Sequence, residues 1–328
     1  MKITIVGGSG FIGSNLSEVF SKKNHDFNIF DLRRSNNFLE KTILGDVCSE
    51  DDLNLIPNCD ALINLAAVHR DDVDPISLYD EVNVGGAKNI CDLARKKQIN
   101  KIIFTSSVAI YGFAKANTDE SGEINYFNDY GRTKYLAENE YKKWYEEDKE
   151  NRTLVIVRPT VVFGEGNRGN VFNLLKQIES KKFAMFGNGK NIKSMAYVNN
   201  VAAFLEYSLS FQKGIHVYNY IDKPDINMNN LVSKTRNILF KKNNVGLRMP
   251  AIFGVLIGYI ADLISKISNK NLPVSSIRVK KFLATTQFAS SINNTGFIPP
   301  YNLEDGLEKT LKYEFLEDNS KNPIFETE

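Results

Sequence analysis

Cysteine and histidine are scarce in these 328 residues. Cys48, Cys59 and Cys91 stand without any C-x-x-C spacing, and the histidines at 25, 69 and 216 have no ligand spacing to one another. A disulfide framework or a metal site is therefore not expected, and the chain reads as a protein of a reducing, cytoplasmic compartment. Charge of one sign is also lacking. The formal net charge is +2, which offers no field for nucleic acid or a membrane. The basic groups Lys22-Lys23, Arg95-Lys96-Lys97, Lys241-Lys242 and Lys280-Lys281 are separated and read as solvated faces. Long apolar runs are few. The one lipophilic stretch, 251–264, holds Asp262 and two glycines and is too short to span a bilayer. It reads as an amphipathic helix starting at Pro250 that covers core or an interface, with peripheral membrane contact as the sharper alternative. A strand begins at the second residue, which leaves no room for a signal peptide.

What is present is ordinary in bulk and specific in one place. Apolar residues make up 42% and charged residues 24%, so the chain is globular, with one large or two intimate domains. The specific place is Ile3-Thr4-Ile5-Val6-Gly7-Gly8-Ser9-Gly10-Phe11-Ile12-Gly13, an apolar run entering a glycine-dense turn. Phe11, Ile12, Leu16, Val19 and Phe20 then recur at helical spacing. Strand, tight turn and helix place a pyrophosphate at a helix N-terminus, where free N–H groups and the dipole favour negative charge. Gly8, Gly10 and Gly13 fit G-x-G-x-x-G, and Gly7, Gly10 and Gly13 fit the wider G-x-x-G-x-x-G. A second apolar run ends in Asp31, at about the distance of a ribose-binding carboxylate. The joint pattern points to a bound dinucleotide.

Strand-like runs at 2–6, 27–31, 42–44, 61–66, 101–106 and 153–157 alternate with amphipathic stretches, notably 82–97 and 134–147. This predicts an α/β fold, a doubly wound parallel sheet covered by helices on both faces. Ligands of such sheets lie beyond the carboxyl ends of the strands, where Gly7, Asp31, Asp46, Ala66, Ser106 and Pro159 fall. After Gly164 the pattern loosens, and 195–198 and 216–221 read as strands returning to the sheet. Helices are expected over 228–240, 250–267 and 303–313. The dinucleotide domain thus takes residues 1–165 and a returning segment of about 194–222. A smaller α+β substrate domain takes 166–193 and 223–316, and 317–328 reads as a frayed tail.

Tyr130 and Lys134 lie four apart where a helix begins, so they share a face. Ser106 and Ser107 end the strand upstream. Y-x-x-x-K alone is common by chance, but here it follows the glycine loop and the strand-end serines in order. A phenol of pKa near 10 is a poor catalyst at neutral pH. One positive charge about 4 Å away, at an effective dielectric of about 20, is worth roughly 4 kcal/mol, or about three pKa units. Lys134 is thereby expected to bring the Tyr130 phenol near neutrality, with Ser107 holding the substrate oxygen.

The chain resembles an extended short-chain dehydrogenase/reductase of the NAD-dependent epimerase/dehydratase type, the kind that modifies nucleotide-activated sugars on a Rossmann fold. The resemblance runs over nearly the whole chain. It rests on GGSGFIG at 7–13, Asp31, GDV at 45–47, NLAA at 64–67, VNVGGAKN at 82–89, SSVAIYG at 106–112, YGRTK at 130–134 and RPTVVFG at 158–164. It implies that Gly7, Gly10, Phe11, Ile12 and Gly13 cradle the cofactor and that Asp46 and Val47 hold the adenine. Leu65, Ala66 and Ala67 would line the nicotinamide path, Asn83 would anchor the catalytic helix, and Pro159 would touch the nicotinamide amide. Lys134 would also bind the nicotinamide ribose, Ser107 would be catalytic beside Tyr130, and Ser106 would meet the cofactor through its backbone. Asp31 favours NAD(H); Arg33 and Arg34 leave NADP(H) open unless they are solvated surface.

On the substrate side the resemblance implies a UDP-sugar held by His69, Ser107, Thr160, Asn173, Leu174, Phe186 stacked on uracil, and Lys193 with Arg278 on the diphosphate. Core packing for Phe186 and surface charge for Lys193 and Arg278 are the plain alternatives. Sugar dehydratases of the family carry an Asp-Glu pair where Val108 and Ala109 stand, which disfavours dehydration. UDP-hexose 4-epimerases usually read R-Y-F-N where Arg158-Pro159-Thr160-Val161 stands, which weakens that reading. The expectation is therefore a 4-ketoreductase of UDP-4-keto-6-deoxy-N-acetylhexosamines in surface-polysaccharide synthesis. A 4-epimerase with tightly bound NAD is the alternative, and a non-catalytic dinucleotide sensor a remote one. Relatives commonly dimerise through two long helices, so 82–97 and 134–147 are expected at a homodimer seam. Tyr141, Trp144 and Tyr145 would serve that seam or finish the core.

Overall fold

Strands buried on both faces read as near-continuous apolar runs, and 61–64, 101–105 and 153–159 are of this kind. In this computed structural model the described residues are 1–70, 73–268 and 276–326, with the side chains at 267, 268, 277, 278 and 281 outside the description. The first half runs β1 (Lys2–Val6), α1 (Phe11–Lys22), β2 (Asp26–Asp31), β3 (Thr42–Leu44), α2 (Glu50–Asn54) and β4 (Ala61–Asn64). A wide π-helical turn over Tyr79–Gly85 leads into α3 (Gly86–Lys96), followed by β5 (Lys101–Thr105), α4 (Asp129–Glu146) and β6 (Thr153–Pro159). The second half holds β7 (Val161–Phe163), α5 (Asn170–Glu179), β8 (Met185–Phe186), β9 (Ile192–Tyr197), α6 (Val198–Tyr207) and β10 (Gly214–Tyr220). It ends with β11 (Asp222–Asn227), α7 (Met228–Phe240), β12 (Arg248–Met249), α8 (Ala251–Ser268), α9 (Ser276–Leu283) and α10 (Leu303–Phe315).

Seven parallel strands form the main sheet in the order β10-β6-β5-β4-β1-β2-β3. The order reverses between β1 and β4, so their carboxyl ends open a crevice there. Side-chain alternation divides the core. Ile3, Ile5, Ile63, Ile103, Val155 and Val157 pack with Leu16, Phe20, Phe204 and Leu205 under α1 and α6. Val6, Leu62, Ile102, Phe104, Leu154 and Ile156 pack with Ile90, Tyr141 and Trp144 under α3 and α4. Tyr141 and Trp144 are wholly buried and so finish the core.

Two expectations are corrected. The segment around 195–198 does not return to the main sheet. β10 fills the edge beside β6 along its full length, and β9 instead joins β7 and β11 in a separate three-stranded sheet. The tail is not frayed up to residue 325 either. Phe325 N donates to the Gly166 carbonyl at 2.9 Å, its carbonyl accepts from Arg168 N at 2.8 Å, and its ring lies 5.7 Å from that of Phe11. Backbone pairing with the loop after β7, joined to an aromatic contact, holds the end of the chain beside the glycine turn.

A buried ion pair joins the helix that carries Tyr130 to the sheet. Arg158 on β6 donates from Nε and Nη2 to the two Glu138 oxygens at 2.8 and 2.7 Å, and from Nη1 to the Tyr111 hydroxyl at 2.6 Å. Both side chains are 4% exposed or less. Removing one partner strands a buried charge, so Glu138→Ala is expected to cost about 3–5 kcal/mol in urea unfolding.

Candidate active site

The cleft at the strand ends encloses about 850 Å³. Its floor is set by close backbone approaches. Gly7, at φ +78°, would place a Cβ 2.5 Å from the Ala66 amide nitrogen. A Cβ on Gly13 would lie 2.5 Å from the Gly7 carbonyl oxygen. Bare backbone at these two positions lets the turn touch β4's exit and lets α1 sit on the turn. Gly10 differs: it caps α1 without any side-chain hydrogen bond, and the nearest atom to a Cβ there would be 3.4 Å away. The turn is therefore an open cradle at an uncapped helix N-terminus, which suits a pyrophosphate.

Asp31 ties this cradle to β2. Its carboxylate accepts from Ser9 N at 2.9 Å and from Arg33 N at 3.1 Å, while the Ser9 hydroxyl donates to the Arg33 carbonyl at 2.7 Å. Burial raises the Asp31 carboxyl above its ordinary value, and those two backbone donors oppose the shift. Leu32, Asp46 and Val47 extend the cleft wall past Asp31, and Leu65, Ala66, Ala67, Ser106 and Pro159 line its other end. Gly7, Gly10, Phe11, Ile12 and Gly13 all face the same space. These residues fit an extended dinucleotide.

At the far end stand Ser107, Tyr130 and Lys134. Ser107 follows β5, and its hydroxyl accepts from Ala109 N at 3.1 Å, which caps the short turn Val108–Tyr111. Asn128 caps α4 by accepting from Gly131 N at 3.0 Å. A Cβ on Gly131 would sit 2.5 Å from the Ala109 carbonyl oxygen, so a glycine after Tyr130 lets the first turn of α4 press on the Ser107 turn. That contact sets Tyr130 and Ser107 side by side at the same end of the cleft. Lys134 is buried, with its ammonium 4.6 Å above the Phe104 ring.

The proton affinities differ from the sequence expectation. Burial pushes the Tyr130 phenol up to about 12, opposed by the neighbouring Ser107 hydroxyl. Burial pushes the Lys134 ammonium down to about 7, opposed by the Glu138 charge. Desolvation thus draws the lysine toward its neutral form and outweighs any acidification of the phenol.

Two amide clamps set the walls. Asn64, ending β4, donates to the Tyr141 hydroxyl at 2.6 Å and accepts from Ala66 N at 3.0 Å. Asn83 accepts from Val68 N at 2.8 Å and donates to the Val68 carbonyl and the Thr133 hydroxyl, each at 3.0 Å. Asn83 does not line the cleft and acts by positioning α4.

On the substrate side, Thr160 and His69 line the cleft, as do Val108 and Ala109. Burial holds the His69 imidazole below its ordinary value, and the Lys134 charge adds to the effect. Asn173, Leu174, Phe186 and Lys193 do not line it. Asn173 and Leu174 fall one turn too far along α5, and the residues facing the cleft are Asn167, Gly169 and Asn170. The Phe186 ring packs on Gly254 of α8. Lys193 donates to the Ala284 carbonyl at 2.7 Å, and burial lowers its ammonium to about 8. The Arg278 side chain lies outside the described residues. Ser194, Thr286 and Phe288 complete the wall. They come from β9 and the segment after α9, whose pairing no local pattern announces. Among the described residues, no three His, Cys, Asp or Glu side chains gather as metal ligands would.

Below pH 7 Lys134 is charged in both folded and unfolded chains, and its desolvation cost is carried in full. Between about 7 and 10.5 the unfolded chain binds the extra proton, so stability from this group rises with pH. Lys134→Met is expected to stabilise the protein by about 1–3 kcal/mol at pH 6, with the gain shrinking toward pH 10 in thermal melts, while activity is lost.

The comparisons agree with this geometry. The NAD dependent epimerase/dehydratase family model matches residues 3–220. The chain is 47% identical over 319 residues to the N-acetyl-alpha-D-glucosaminyl-diphospho-ditrans,octacis-undecaprenol 4-epimerase of Escherichia coli O157:H7, covering 96% of this chain and 95% of that one. It is 24% identical to the UDP-glucose 4-epimerase of Vibrio cholerae, covering 97% of each. Among solved structures, MoeE5 in complex with UDP-glucose and NAD superposes with a TM-score of 0.73 at 20% identity, covering 95% of this chain and 98% of that one. With the strand order, the glycine cradle and the serine–tyrosine–lysine cluster in one cleft, the chain belongs to the NAD-dependent epimerase/dehydratase family.

Proposed function

We propose that this protein is an NAD-dependent 4-epimerase whose substrate is an N-acetylhexosamine linked through a diphosphate to a polyprenol. The observation that carries the reading is the 47% identity to the E. coli enzyme over 96% of the chain. This reading takes precedence over the expected 4-ketoreductase, because the relative matched at 47% identity is a 4-epimerase by name. NAD is favoured by Asp31, whose carboxylate suits a ribose diol and repels a 2′-phosphate.

Tyr130 takes the proton from the sugar O4 hydroxyl and later returns it, while Ser107 holds that oxygen beside the phenol. Leu65, Ala66, Ala67 and Pro159 would hold the nicotinamide, which would supply reversible hydride exchange with the sugar. The reaction consumes no reductant. Val108 and Ala109 offer no acid or base beyond Ser107, so water is not eliminated from the sugar. Phe186 lies under α8 and is not offered to the cleft as a stacking platform for uracil. A lipid carrier has no base to stack.

Incubated in detergent with undecaprenyl-diphospho-GlcNAc and no added reductant, the protein is expected to yield GalNAc on acid release. Interconversion of UDP-GlcNAc alone would instead assign a nucleotide-sugar 4-epimerase, and NAD(P)H consumption with a 4-keto UDP-sugar would restore the ketoreductase. Tyr130→Phe is expected to lower turnover by about 10²–10⁴-fold while cofactor binding persists.

A further inference from the structure

Helix α8 is built inside out. The side it turns to the protein is small: Gly254, Gly258 and Ala261 are buried, and a Cβ on Gly254 would lie 2.8 Å from the Phe186 ring. Its large residues face outward. Ile252 is 73% exposed, Leu263 59% and Leu256 54%, and Phe253, Ile257 and Ile260 are exposed with them. A helix that covers a core presents the reverse pattern, and an apolar face of this extent marks an interaction surface. At 18 residues α8 is about 27 Å long. Among the described residues no helix is long and apolar enough to cross a membrane.

Charge decides what that surface is. Residues 241–285 carry eight Lys or Arg and one acid, Asp262, in a chain whose total is only +2. The Asp262 carboxylate is engaged with Ser276 N at 3.2 Å, at the start of α9. Lys266 and Lys280 are exposed beside the apolar face, with the Lys280 ammonium 5.4 Å from the Tyr259 ring. A bulky apolar helix flanked by cations with no free acid matches the interface of an anionic bilayer, where apolar side chains enter the acyl boundary and lysines meet the headgroups. The chain leaving α9 then runs directly into the cleft wall at Thr286 and Phe288.

We propose that α8 and α9 form a monotopic docking element that lays its apolar face on an anionic lipid bilayer, next to the substrate end of the cleft. The proposal deepens the polyprenol reading and rests on it for its purpose, since a lipid-carried sugar never leaves the membrane.

The test is flotation of the full chain with vesicles of phosphatidylglycerol and phosphatidylethanolamine, free of any sugar lipid, against vesicles of phosphatidylcholine. The protein is expected to float with the anionic vesicles and to be released by high salt. The triple variant Leu256→Ser, Ile260→Ser, Leu263→Ser should lose binding by tenfold or more. Lys266→Glu with Lys280→Glu should lose it on anionic vesicles alone. Both variants should keep wild-type NAD binding, which shows that they fold. Wild-type protein left in solution with both vesicle types would overturn the proposal. So would a dimer, seen by light scattering, that the triple variant splits while vesicle binding is nil; that result assigns the face to a second copy of the chain. Epimerisation in detergent without flotation would sink the docking element and spare the proposed function, and flotation without epimerisation would do the opposite.

Discussion

The contact between the first turn of α4 and the turn after β5 is what the rest of the site depends on. Gly131 lies against the Ala109 carbonyl with no room for a Cβ, and the two residues that flank this contact in sequence and space are Tyr130 and Ser107. A sheet can deliver a serine to its carboxyl edge by register alone. It cannot deliver a tyrosine from a helix, so α4 must be pressed into place. Asn128 caps it, Asn83 bonds it through Thr133, and the Tyr141 hydroxyl meets Asn64 at the end of β4. Deeper along the same face, Arg158 meets Glu138 in a bidentate pair.

Positioning of this kind has an electrostatic consequence. Lys134 and Tyr130 are both drawn out of water, and burial drives each toward its neutral form. Glu138, one turn on, opposes the shift of Lys134, yet most of its charge is answered by Arg158. The buried lysine is therefore a local cost accepted for chemistry, as sites commonly break rules that the core obeys.

The outer layer follows a different logic. β8 and β12 make a two-stranded ribbon whose Phe186 receives Gly254 of α8, so a residue read as a base-stacking aromatic serves as the seat of an apolar helix. The end of the chain is handled similarly. Phe325 lies against Phe11 at the mouth of the glycine turn, so a residue late in the chain packs on one of its first.

The strands of the first half, the glycine cradle, Asp31 and the Ser107, Tyr130 and Lys134 set were legible because each is a local pattern. Alternating or continuous apolar runs, a turn that needs bare backbone, and i,i+4 spacing on a helix are all encoded within a few residues. The substrate wall was not. Asn167 and Asn170 face the cleft where Asn173 was expected because helix phase shifts what faces inward by a turn, while Thr286 arrives by pairing with Lys193 of β9 and Phe288 by pairing with Thr118, both far away in sequence. The same limit governed β9, which could join either sheet until β10 claimed the open edge. Residue spacing determined which groups could do chemistry here; only the tertiary fold decided which of them share one space, because long-range packing and desolvation have no counterpart in local sequence.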